Sequence, residues 1–207
     1  MPNHVYTRLH VSGPDADVVN FTIKSSSSTG ELLSFQELMP MPKQLSVVSS
    51  PVRIVTQEDY DKAVAEDALL PEKDYRKGYL PLTRQMQADY LEQFGADNWY
   101  DWKIVNWGTK WGAYDVSEWT IKPFTGASIT YQTAWSPATK LFLKVSKDFP
   151  TLTFRHDFVD EGGNFVGYET FRNGVAIDSA DYEWNSDEGR ATCELVGFKH
   201  YEEDDES

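Results

Sequence analysis

The sequence predicts an α+β fold: a ferredoxin-like split βαβ sandwich with a helical insertion and a C-terminal β-hairpin. Residues 5–12, 127–135 and 151–159 alternate apolar and polar side chains with period two, as strands with one buried face do. Apolar residues recur at helical spacing after the first two of these stretches. Asn173-Gly174 separates two further extended runs and matches the type I′ hairpin turn, whose central residues need positive φ. Strand, helix, strand, insertion, strand, strand, helix, strand is a βαββαβ order, with helices covering one face of an antiparallel sheet.

Each element has a local reason. Val5, Thr7, Leu9 and Val11 face one way, and Tyr6, Arg8 and His10 the other. Ser12-Gly-Pro-Asp15 ends that strand and opens a helix, with Pro14 suited to its first position and Asp15 and Asp17 to its positive end. Val18, Phe21 and Ile23 supply the apolar side. Leu32 to Phe35 is expected as a short strand, stopped by the rigid elbow Met39-Pro-Met-Pro42.

Residues 43–98 form the helical insertion, with helices at 57–70 and 83–94. The second has Thr83 as its cap and Gly95 as its stop. The aromatic stretch from Tyr100 to Asp115 reads as a strand interrupted by turns at Asn106, Gly108 and Gly112. Ala127 to Trp135 is a strand. Ser136-Pro137 caps a helix whose stripe is Leu141, Phe142, Val145 and Phe149. Strands at 151–159, 165–171 and 175–182 close the core. The expectation is therefore one domain over 1–207, with core 1–42 and 99–182, insertion 43–98 and an acidic C-terminal segment 183–207.

The chain of 207 residues is long enough to bury a sizeable core. No apolar run approaches the roughly 18 residues of a membrane span. The first residues carry neither the basic nor the apolar region of a signal peptide. A single cysteine, Cys193, fits a reducing cytoplasm, with an acidic neighbourhood expected to raise its pKa. Neither a metal nor a cofactor is expected. The four histidines are scattered, and His156 and Asp157 point to opposite faces of one strand. No nucleophile elbow, P-loop, dinucleotide fingerprint or zinc-protease motif is present.

The net charge of −14, from 33 acids and 19 bases, argues against a general nucleic-acid binder, which needs excess Lys and Arg. Residues 183–207 carry seven of those net negative charges. The run Glu202, Glu203, Asp204, Asp205 and Glu206 reads either as a solvated tail or as an acidic surface that imitates nucleic-acid phosphates and occupies a basic partner.

Several runs resemble the YubB ferredoxin-like family, found in phages and plasmids. They are the opening Met1-Pro-Asn, Arg8-Leu9 with Val11-Ser-Gly13, Phe35 with Met39-Pro-Met-Pro42, Asp101-Trp through Asn106-Trp-Gly-Thr-Lys-Trp111 with Asp115, and Thr133-Ala-Trp-Ser-Pro137. The resemblance spans residues 1 to about 182. It implies the same fold and no activity. Gly112 stands where members often carry Asp.

Two constellations are candidate sites. Trp102, Asn106, Trp107, Lys110, Trp111 and Asp115 form either a recognition surface of stacking faces, amide and cation, or simply core. With strand order 4-1-3-2, Arg8 and His10 share a solvent face with Arg155 and Asp157, joined by Thr130 or Gln132, as a patch for an anion or small ligand. Of the stacking aromatics that RNA-recognition domains carry on this face, only Tyr6 is present.

The expected function is that of an acidic, non-enzymatic binding protein from a phage or mobile element, occupying a host bacterial protein. The alternatives are a small-ligand or enzymatic domain using the open sheet face and the Trp-rich segment, or an oligomeric packing module.

Overall fold

Period-two alternation builds a six-stranded antiparallel sheet, in a computed structural model that describes residues 3–199. The acidic run Glu202–Glu206 lies outside the described residues. Two compact units partition the chain: residues up to Met39 with those from Trp107 onward, and Pro40–Asn106.

In chain order, the first unit begins with β1 (His4–Ser12), α1 (Asp15–Lys24) and α2 (Phe35–Leu38). The second holds α3 (Lys43–Ser46), β2 (Ile54–Val55), α4 (Gln57–Leu69), β3 (Leu82–Thr83), α5 (Arg84–Phe94) and α6 (Trp99–Asn106). The first then resumes with β4 (Thr120–Lys122), β5 (Gly126–Ala134), α7 (Thr139–Asp148), β6 (Thr153–Asp160), β7 (Val166–Arg172), β8 (Val175–Asp181) and α8 (Asp187–Val196).

The sheet order is β4-β5-β1-β6-β7-β8. Its first four strands give the 4-1-3-2 arrangement of a ferredoxin-like domain, and β7–β8 is the appended hairpin. Asn173 and Gly174 turn that hairpin at φ 47° and 75°. Helices α1 and α7 cover one face. Between them and the sheet lie Leu9, Val11, Phe21, Ile129, Phe142 and Phe154, all buried. Phe35 reaches this core, edge-to-face with Trp107, Tyr131 and Phe142.

In the insertion unit, Thr83 caps α5 by accepting from the Met86 amide at 3.2 Å, and Gly95 ends it at φ 72°. Ile54–Val55 pairs in parallel with Leu82–Thr83. Among the described residues no helix is long and apolar enough to cross a membrane.

Five local readings are corrected. Leu32 to Phe35 is not a strand: the edge place beside β5 goes to Thr120–Lys122, and Phe35 instead opens a helical turn that drops its ring into the core. Ile23 lies 67 % exposed, because Val18 and Phe21 already fill the width of α1 facing the sheet. Ser136 does not cap α7; its hydroxyl donates to the Gly108 carbonyl. The aromatic stretch is helix α6 followed by an irregular loop, not a strand. Asn98 Oδ1 accepts from the amides of Tyr100 and Asp101 at 2.9 and 3.0 Å, and this cap outweighs the β preference of the aromatics.

The fifth concerns the acidic segment, which contains α8. Ser186 caps it by accepting from the Gly189 amide at 3.0 Å. Cys193 and Val196 pack with Val159 and Val166 on the face opposite α1 and α7. That face is therefore partly covered. Burial, rather than acidic neighbours, raises the Cys193 pKa.

Candidate functional site

Strand parity sends Arg8 and His10 of β1 away from the main core. Arg8 stands between Thr130 of β5 and Asp157 of β6, and His10 between Ser128 and Arg155. The four residues singled out from the sequence are thus brought together. Asp157 is 1 % exposed. A carboxylate this deep must be paired and hydrogen-bonded, or its lost hydration is uncompensated. Arg8 Nη1 approaches it at 3.4 Å and Arg155 Nε at 2.8 Å. Arg8 Nη2 donates to Ser128 Oγ at 2.8 Å, and His10 Nδ1 lies 2.9 Å from the same oxygen. The Arg155 guanidinium stacks 3.7 Å from the Tyr168 ring, whose hydroxyl donates to Asp178 at 2.8 Å.

Two guanidiniums thus share one buried carboxylate, and Asp178 lies beyond Tyr168 on the Arg155 side, which leaves Arg8 as the cation of the network that lines the groove described below. Burial, and next the charge of Arg8, hold the His10 pKa below its ordinary 6.5. His10 is therefore neutral at pH 7, with one ring nitrogen at the Ser128 hydroxyl.

Arg8, His10, Ser128 and Thr130 form one wall of a groove of about 590 Å³, which Glu118 and Lys122 also line, with Leu195 of α8 at its edge. Glu118 arrives there because the chain before β4 runs beside β5. Tyr114 and Gln132 exchange backbone bonds of 3.1 and 2.8 Å, and the Ser117 amide donates to Thr130 O at 2.9 Å. Glu118 and Lys122 were not picked out in the sequence. The only signal was the alternation Thr120-Ile-Lys122, too short to read as a strand. Gln132 backs this chain rather than lining the groove, and Tyr6 is covered edge-to-face by Phe198 at 5.0 Å.

The tryptophan constellation divides. Trp102 is buried, and the Asn106 amide donates to the Trp102 carbonyl at 2.9 Å, so both serve α6. Trp107 is buried in the first unit, where its Nε1–H donates to Met39 O at 3.0 Å. Lys110 and Trp111 remain at the surface with exposed Asp115. The Lys110 ammonium sits 5.1 Å from the Trp111 ring and 4.8 Å from that of Trp135. Trp135 was missed, since it reads as the last residue of a strand; it lies just beyond β5 at φ 71°. Thr109 pins the turn by donating to Ala134 O at 2.8 Å.

A four-stranded antiparallel sheet in this order, backed by α1 and α7, makes the protein a ferredoxin-like α+β protein. The family model described as the ferredoxin-like domain in Api92-like protein matches residues 106–206. Among solved structures, the chain is similar to the crystal structure of a protein api92 from Yersinia pseudotuberculosis. That similarity has a TM-score of 0.48 and 10 % identity, over 88 % of this chain and 98 % of the other. No curated protein matches.

Proposed function

We propose that the protein is a non-enzymatic binding protein whose sheet-face groove takes a small anion-bearing molecule. One observation carries this reading: Arg8, on the wall of a groove of about 590 Å³, is held by the buried carboxylate of Asp157, which it shares with Arg155. The buried carboxylate is shared by two guanidiniums and orients that of Arg8, which lines the groove and can donate to an incoming anion. A metabolite panel tested by thermal shift is expected to yield anionic hits. Arg8→Ala removes the shift while far-UV circular dichroism stays unchanged. A panel with no hit, or hits untouched by Arg8→Ala, sinks the reading.

A second reading is favoured by the net charge of −14. On it, the protein acts in the cytoplasm of a bacterium on behalf of a phage or plasmid, as the YubB resemblance implies. It occupies a basic site of a host nucleic-acid-handling or defence protein. One host partner is expected from lysate at low salt and is lost at high salt, because exposed charges are screened within about 10 Å at 0.1 M. Recovery of nothing beyond a charge-scrambled control removes this reading.

A further inference from the structure

We infer that the groove takes a polyhydroxylated oxyanion, a sugar or polyol bearing a phosphate or carboxylate, in preference to a bare anion or a nucleotide. The inference rests on the anion-binding reading above and narrows its ligand.

The register defines what the groove offers. Thr120 of β4 lies across from Ser128, which lies across from His10. One step of two residues away, Thr130 lies across from Arg8; one step the other way, Lys122 lies across from Gly126. Side chains two residues apart on a strand share a face, so all of these project from one surface. The cations Arg8 and Lys122 stand at opposite corners, four residues apart along the strand direction, about 13 Å. Between them lie the hydroxyls of Thr120, Ser128 and Thr130 and the ring of His10.

Much of this polar lining is uncommitted. The Thr120 and Thr130 hydroxyls make no hydrogen bond, and Lys122 and Glu118 enter no ion pair, among the described residues. A bare phosphate reaches only one corner. Volumes of roughly 300–1,000 Å³ are those of pockets that enclose a whole small molecule. Glu118 accepts hydroxyl donors and repels a second anionic group, which selects one charge with many hydroxyls over a polyanion. Among the described residues no Phe, Tyr or Trp lines the groove, and the one ring that does, His10, is held at the Ser128 hydroxyl, so a nucleobase finds little stacking face.

Calorimetric titration of the full chain tests this with glucose 6-phosphate, glucuronate, inorganic phosphate, glucose and AMP at one salt concentration. Glucose 6-phosphate or glucuronate is expected to bind at least tenfold tighter than phosphate, glucose or AMP. The arm that wins tells phosphate from carboxylate. Thr130→Val is expected to weaken the polyol anion about tenfold and leave phosphate unchanged, and Glu118→Gln to narrow the preference for the polyol anion over phosphate about tenfold; both positions lie at the surface of the groove, so folding is retained. Equal binding of phosphate and the polyol anions overturns this inference and leaves the anion site standing. Binding of no probe at millimolar concentration overturns both.

Discussion

Trp107→Ala unfolds at markedly lower denaturant than the wild type, at a cost of about 3–5 kcal/mol, the range for truncating a buried tryptophan. Trp107 is 4 % exposed and meets Phe35 edge-to-face at 5.7 Å. Phe35 in turn contacts Tyr131 and Phe142, so the cavity opens inside the first unit's aromatic core. The substitution also leaves the Met39 carbonyl without the Nε1–H that bonds it at 3.0 Å. Trp111→Ala is the contrast. That ring is 37 % exposed, and its loss removes a cation–π contact with Lys110, about 0.5–1 kcal/mol at such a site. Urea midpoints of the two variants check the division. Equal losses would mean that these tryptophans do not separate into core and surface.

Acidification below pH 6.5 destabilises the fold through His156. The ring is fully buried against Phe142 at 4.4 Å, with Tyr131 and Phe171 nearby, and burial lowers its pKa from 6.5 to about 3. The sign follows from where protons bind. Above pH 6.5 the ring is neutral in both states and contributes no pH dependence. Between 6.5 and about 3 the unfolded chain takes up a proton that the folded protein refuses, so stability falls as pH falls. At about 1.4 kcal/mol per pH unit, the loss over the whole window approaches ~5 kcal/mol, and between pH 6.5 and 5 it is about 2. Carboxylates begin to titrate at the acid end, so the comparison is with His156→Phe. The phenyl ring suits the aromatic surroundings and removes Nδ1, which has no hydrogen-bond partner among the described residues. Because it also removes Nε2, which lies 3.4 Å from the buried Tyr131 hydroxyl, this variant is expected to be less stable than the wild type at pH 7, by about 1–3 kcal/mol, but to lose less stability down to pH 5. Parallel stability–pH curves for the two proteins would refute the assignment.

Several parts of the architecture were legible because their causes are local. Alternation around Leu9, Ile129 and Phe154 identifies the three central strands, since a strand with one buried face needs period two. Thr83 and Gly95 bound α5, because capping geometry depends on neighbours in the chain. Parity and strand order also placed Arg8, His10, Arg155 and Asp157 on one surface.

The misread segments have causes that are not local, or that pointed in competing directions. Asn98 caps α6 through its side chain, while the aromatic run after it carries strand propensity, which is the weaker guide. Residues 120–122 make a strand only because β5 offers them an edge. The acid content of 183–207 concealed a helix whose inner side, with Cys193 and Val196, is apolar.

By itself the sequence determined the fold class, the hairpin turn at Asn173-Gly174, the caps of α5 and the parity of each long strand. It did so because backbone preference and hydrophobic period act within a few residues. The tertiary structure alone decided which tryptophans are core, that α8 shields part of the second sheet face, and that Glu118 and Lys122 complete the groove. Those outcomes depend on residues distant in the chain competing for the same buried space and the same free strand edge.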